Sequence, residues 1–222
     1  MAPSPDILNH PDSARERLLQ AGLRLFAHHG YSKTSTRELA EAAQVNVAAI
    51  SYYFGDKAGL YRAVFFEPMG DVDADVALIA APGLSLDQVL HGFYQGFLAP
   101  LKRGDAARLC VKLHFRELLE PTGLWQDELA HGIRPLHDAL VQVLQRHLGL
   151  AEADDELQAL VVCLAALGVH LHVGHDVIEQ LAPNLIQHPD ANPRWSARLL
   201  RLGRAMVEAE RARRAMQEPP AR

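Results

Sequence analysis

The sequence is poor in the features that mark secreted, membrane-bound or catalytic chains. It has two cysteines in 222 residues, Cys110 and Cys163. They stand far apart in apolar helical contexts, with no C-x-x-C pair and no zinc-ligand spacing. That excludes a disulfide scaffold and reads as reduced core cysteine in a cytoplasmic protein. The N-terminus, MAPSPDILNHPD, lacks a basic start and an apolar run, so no secretory leader is expected. The longest apolar stretch, Ala159 to Val169, is shorter than the roughly 20 residues that span a bilayer, and no membrane partner is expected. Also missing are G-x-S-x-G, H-E-x-x-H, a phosphate-binding loop and a dinucleotide glycine pattern. No cofactor is implied and no enzyme is expected; the one enzymatic alternative would have to work through His114 and Glu117. Sustained period-two alternation is absent, which excludes a sheet and leaves an all-α fold.

What is present is an uneven charge. The net charge is −5, the wrong sign for a partner rich in phosphate. Residues 13–62, however, carry seven Lys/Arg against four Asp/Glu, and the remainder carries 15 against 23. The local +3, not the total, sets the electrostatic footprint.

Within that basic segment, residues 35–57 read as two short helices joined by a tight turn. Ser35 with Glu38 three residues later is a capping box, opening a helix from Thr36 to Ala43 that buries Leu39, Ala40 and Ala43. Gln44-Val45-Asn46 turns the chain, and Asn46 caps a second helix from Val47 to about Phe54. Ile50 and Phe54 point inward, so Val47, Ala48, Ser51 and Tyr52 point out. Asp56 caps a further helix beginning at Lys57. No acidic residue lies between Glu41 and Asp56, which suits a phosphate-rich partner. Small outward side chains admit the backbone to a major groove, and apolar ones can touch thymine methyls. Thr36, Tyr53 and Lys57 sit at helix ends, where a hydroxyl or ammonium can hold phosphate. A helical hairpin that only packs in a core has the same pattern.

The run from Arg17 to Val64 resembles the DNA-binding region of the tetracycline-repressor (TetR) family of bacterial regulators. The likeness rests on Leu25, Phe26, Gly30 and Tyr31, then Thr36, Leu39 and Ala40, then Tyr52, Tyr53, Phe54, Lys57 and Leu60. It implies a three-helix headpiece in which Thr36 and Arg37 contact phosphate or a base edge. Val47, Ala48, Ala49, Ser51 and Tyr52 would read bases, and Tyr53 and Lys57 would anchor phosphates. The chain departs from the family at Gln44, where glycine is common, and at Ser51, where tyrosine is common. The expected partner is a double-stranded palindromic operator.

The expected organisation is a disordered arm at 1–12, a helix-turn-helix domain at 13–56, a connecting helix at 57–67, a ligand-binding and dimerisation domain at 68–216, and a tail at 217–222. FRELLEPTG, at Phe115 to Gly123, gives the larger domain a likeness to the CecR-like branch of the family. That likeness implies a pocket for a small-molecule effector, with Phe93, Phe97, Phe115 and Trp125 as walls and His114 and Glu117 as polar groups. Ordinary core packing explains the same residues. The helix over Leu157 to Val173 is apolar nearly all round and must be covered on several sides. A second subunit is the simplest cover, and the resemblance implies a homodimer through the last two long helices, with Leu164, Leu167, Leu171, Leu199, Leu202 and Met206 at the interface.

Twelve histidines are an unusual number. On one helix His170 and His172 point about 200° apart and cannot share an ion. His172 and His175 can, but with no acidic residue or cysteine read as completing a set. No metal site is assigned, and a metal-sensing regulator stands as the alternative.

Overall fold

The computed structural model of the chain describes residues 13–68, 72–102 and 105–217. The expected arm, most of the tail, and the breaks at Gly70 and at Arg103-Gly104 lie outside the described residues. Regular structure among the described residues is entirely helical, as the missing period-two pattern requires. The chain divides into two compact units.

The first unit holds the described residues up to 68 together with 105–127. It begins with α1 (Ala14–His29), α2 (Thr36–Ala42), α3 (Ala48–Phe54) and α4 (Lys57–Phe66). Its core gathers Leu18, Phe26, Leu39, Ile50, Leu60 and Phe65, all at most 1% exposed. Helix α7 (Asp105–Leu119) completes this unit by packing on α1 and α4. The sequence placed this helix in the larger domain, because nothing local distinguishes a helix that returns to an earlier core. Gly30 ends α1 with φ 81°, and a Cβ there would lie 2.8 Å from Arg116 Nε on α7. The positive φ is what calls for glycine here, since the Arg116 side chain can swing aside.

The second unit holds 72–102 and the described residues from 128 onward. Its helices are α5 (Val72–Ala80), α6 (Leu86–Lys102), α9 (Arg134–Leu148), α10 (Asp155–Val173), α11 (His175–Leu181), α12 (Asn184–Gln187) and α13 (Ala191–Gln217). A short α8 (Trp125–Glu128) runs through a π-helical turn, Leu129–Ile133, into α9. Ser85 and Gln88 form a second capping box at the start of α6. Asp154 caps α10 by accepting from the Leu157 N–H and also binds Arg214 near the end of α13. Helix α10 ends at Gly174, and α11 begins directly at His175. Pro193 lies in the first turn of α13, where proline's missing N–H has no partner to lose.

Candidate nucleic-acid interface

The two short helices of the first unit are set by local chemistry. The Ser35 hydroxyl accepts from the Glu38 N–H at 3.2 Å, and the Glu38 carboxylate accepts from the Ser35 N–H at 2.8 Å. That N–H, with the Ser35 hydroxyl donating to the same carboxylate at 2.8 Å, holds the Glu38 carboxyl below the usual carboxylate range. Helix α2 ends in a Schellman turn: the Gln44 N–H bonds the Glu41 carbonyl at 3.0 Å and the Val45 N–H bonds the Ala40 carbonyl at 2.9 Å. This turn needs a left-handed residue, and Gln44 supplies it with φ 53°. The departure from the family's glycine thus falls on a strained position. Asn46 Oδ1 accepts from the Ala48 N–H at 2.9 Å, so α3 starts one residue later than expected. Asp56 caps α4 through the Gly59 N–H at 2.8 Å.

With Ile50 buried, the opposite face of α3 is open. Tyr52 is 82% exposed and Val47 45% exposed, and Ala48 and Ser51 are also exposed. The Tyr52 and Tyr53 rings meet edge to face at 4.8 Å, which props Tyr52 outward. Ala49 is half-buried against the core, so its side chain faces inward more than a base-reading role implies. Thr36 is half-buried at the start of α2 and Arg37 is exposed. Lys33, in the turn before α2, is an exposed cation that the sequence reading passed over; a lysine just after the Gly30 helix stop was the available signal.

Lys57 does something the sequence did not announce. Its Nζ donates to the Tyr31 carbonyl at 3.0 Å and the Thr34 carbonyl at 2.9 Å, and sits 4.1 Å from the Tyr31 ring centroid. Two of its three N–H groups therefore tie the α1–α2 turn, leaving one for an anion. The buried Thr34 hydroxyl fixes the same turn by donating to the Gly30 carbonyl at 2.8 Å. Arg17 Nε adds a bond to the Ala43 carbonyl at the end of α2.

Behind this face lies a buried latch. Glu117 on α7 is fully buried. Its carboxylate accepts from the Tyr61 hydroxyl at 2.9 Å, the Thr122 N–H at 2.7 Å, the Thr122 hydroxyl and the Leu124 N–H at 3.1 Å. Burial, with Glu117 beside it, pushes the Tyr61 phenol far above its usual range. Tyr61 in turn packs on Phe26 and Tyr31 at 4.9 and 5.0 Å. His114 stacks on Phe65 at 4.0 Å and bonds the Cys110 carbonyl through Nδ1. Burial lowers its pKa, against the opposing pull of that carbonyl and Glu117.

The residues expected to wall an effector pocket are divided. His114, Phe115, Glu117 and Trp125 belong to the first unit, Phe93 and Phe97 to the second. Glu117 spends its oxygens on the latch. Phe93 is 4% exposed in the second core, and Phe97 lies where a Cβ on Gly168 would meet its ring at 2.5 Å. Two open grooves on the second unit, about 190 and 510 Å³, are lined by none of the six.

The expected interface leucines also need correction. Leu164, Leu171 and Leu199 are buried in the second unit's own core, and Leu167 and Met206 pack against it. Leu202 is exposed. The open stripe of α10 is instead Ala159, Val162, Cys163, Ala166 and Val173, and α13 adds Ala205 and Ala209. A helix apolar all round does not reveal by pattern which stripe its own core takes. At 19 residues and mean hydropathy 1.7, α10 is also long and apolar enough to cross a membrane by length and composition, contrary to the shorter apolar stretch read from the sequence. The core helix of a soluble protein passes the same test.

A tyrosine-bearing helix presented beyond a capped turn is the arrangement of a helix-turn-helix transcription regulator. The pattern of the "Bacterial regulatory proteins, tetR family" matches residues 18–64, and that of the "HTH-type transcriptional dual regulator CecR, C-terminal domain" matches 86–210. The chain is 30% identical over 155 residues to the HTH-type transcriptional dual regulator CecR of Shigella flexneri, covering 65% of this chain and 68% of that protein. It is 26% identical over 146 residues to the HTH-type transcriptional repressor AcnR of Corynebacterium diphtheriae, covering 64% and 70%. A 48-residue match at 48% identity to the probable HTH-type transcriptional regulator YttP of Bacillus subtilis covers 22% of this chain and 23% of that protein. Among solved structures, a bacterial regulatory protein in the tetR family from Rhodococcus RHA1 superposes with a TM-score of 0.63 at 20% identity, covering 88% of this chain and 97% of that one. HlyIIR, a hemolysin II transcriptional regulator, gives 0.56 at 20% identity, covering 78% and 94%; both show the fold. The chain belongs to the TetR family of DNA-binding transcription regulators, in the branch with a CecR-type C-terminal domain.

Proposed function

We propose that the chain is a cytoplasmic homodimeric repressor that holds a palindromic operator and is released by a small organic molecule. The observation that carries this reading is the open face of α3: Val47, Ala48, Ser51 and Tyr52 exposed, with no acidic side chain from Gln44 to Gly55. Such a face suits a major groove, and Thr36, Arg37, Tyr53 and the remaining N–H of Lys57 flank it as phosphate contacts. Two copies then read two half-sites about one helical turn apart, which makes the operator an imperfect palindrome.

The second copy docks on the open stripe of α10 and α13. Val162, at 60% exposure, and Val173, at 60%, are apolar surface that a lone chain leaves in water. For the effector we retain Phe93 and Phe97, whose rings meet edge to face at 5.4 Å on α6. The effector shifts a population between a DNA-competent and an incompetent state through its differential affinity for the two. A mobility-shift titration with the DNA upstream of the chain's own gene tests the reading, alongside mass measurement in solution. The wild type should shift that DNA as a dimer, and Val162→Asp should be monomeric and bind far more weakly. A monomeric wild type that shifts the DNA with full affinity defeats the dimer half, and no sequence-dependent shift defeats the operator half.

A further inference from the structure

We propose that His175, Asp176 and Glu179 form a binding site for a divalent transition-metal ion at the start of α11. The sequence suggests no acidic residue or cysteine to complete a set with His172 and His175, yet Glu179 lies four residues beyond His175. In the structure Gly174 ends α10 and a new helix begins at His175. His175 and Glu179 then stand one turn apart on one helix, the i, i+4 spacing that puts two side chains on one face. Asp176 adds a third ligand, and one ligand atom from each residue lies within 4.8 Å of the other two.

The distances favour a cation over a hydrogen-bonded cluster. His175 Nδ1 and Asp176 Oδ1 are 3.7 Å apart, too far for a hydrogen bond. Two ligands of a tetrahedral zinc ion at 2.0–2.1 Å lie roughly 3.3 Å apart, so this pair closes by a few tenths of an ångström and the pairs with Glu179, all within 4.8 Å, by at most about 1.5 Å. The His175 side chain is 13% exposed, and no hydrogen bond of its ring is found among the described residues. Glu179 is half-buried and held from α12, since Gln187 Nε2 donates to its Oε1 at 3.1 Å. A bond from a neighbouring amide to a ligating carboxylate is the support that orients metal ligands. His172, the other nearby imidazole, is committed elsewhere, with Nε2 bonded to the Phe97 carbonyl at 2.8 Å.

The donor set narrows the ion. One imidazole and two carboxylates neutralise a 2+ charge and suit Zn²⁺, Mn²⁺, Fe²⁺ or Co²⁺, while the absence of thiolate disfavours Cu⁺. Asp176 is exposed, so water completes the coordination. A bound ion joins α11 to α12 through Glu179 and Gln187. This inference is independent of the operator reading, because it is read from the protein alone.

The test is calorimetric titration of the untagged, chelator-treated full chain with ZnCl₂, repeated with CoCl₂ and followed by visible absorption. The expected result is one ion per chain, a Co²⁺ d–d spectrum, and at least tenfold weaker binding in both His175→Ala and Glu179→Gln. His137→Ala, which alters a half-buried histidine of α9 bonded to Gln158 on α10, outside the cluster, should bind as the wild type. Circular dichroism checks the fold of each variant, and Glu179→Gln carries the test if His175→Ala does not fold. Wild-type affinity in Glu179→Gln, or no binding by the wild type at micromolar concentration, overturns the site.

Discussion

Replacing Glu117 by alanine removes the centre of the buried latch and exposes its strength. Tyr61 is 3% exposed and the Leu124 N–H is buried, so both donors lose their acceptor with little water to replace it. The Thr122 N–H is partly buried and recovers some hydration. A buried donor without a partner costs about 1–3 kcal/mol, which puts the loss at about 3–5 kcal/mol. That is a large share of the roughly 5–15 kcal/mol that holds a domain folded. Because the chain has two units, a single global unfolding curve would mix their responses. Amide hydrogen exchange reads the latch locally. Exchange at Thr122 and Leu124 should accelerate at least a hundredfold in Glu117→Ala, about 3 kcal/mol of opening free energy. Glu117→Gln, which keeps one carbonyl acceptor and the side-chain volume, should show less than half of that effect in free energy. Unchanged protection at both amides in Glu117→Ala would refute the latch.

Three further outcomes follow from other sites. Gln44→Gly relieves a left-handed φ of 53° at an exposed side chain, and should stabilise the first unit by about 0.5–1 kcal/mol in urea unfolding. Lys57→Met gives up two bonds to the Tyr31 and Thr34 carbonyls and the approach to the Tyr31 ring, and should cost about 2 kcal/mol by the same measurement. Burial pushes the Glu128 carboxyl up to about 6 from 4.5, so between those pH values the folded chain binds the proton better than the unfolded one. Stability from this group is full below pH 4.5 and falls by up to about 2 kcal/mol as pH rises through 6. Comparing unfolding free energies of the wild type and Glu128→Gln at pH 4.5 and 7 should show this dependence only in the wild type.

The headpiece was legible because its signals are local. Ser35 with Glu38, and Asp56 before Lys57, act within three residues and cap as the spacing implies, whereas Asn46 bonds the Ala48 N–H one position ahead of the N-cap, which Val47 takes. What escaped the sequence depends on long-range contact. Lys57 finds carbonyls 23 and 26 residues away, and a lysine at a helix start looks the same whether it meets a phosphate or a turn. Glu117 was read as a polar group for an effector, and its burial becomes visible only when α7 is seen to pack with α1 and α4. The apolar α10 showed that a cover was needed, but not that Leu164 and Leu171 face inward while Val162 and Val173 remain open.

The chain's grip on operator DNA is tested most directly at Tyr52, which is 82% exposed and whose ring, among the described residues, meets that of Tyr53 alone. Tyr52→Ala, titrated against the operator beside the wild type, should keep the same thermal unfolding and lose at least tenfold in affinity, about 1.4 kcal/mol. Wild-type affinity in a folded Tyr52→Ala protein would contradict the account and move the DNA-reading surface away from α3.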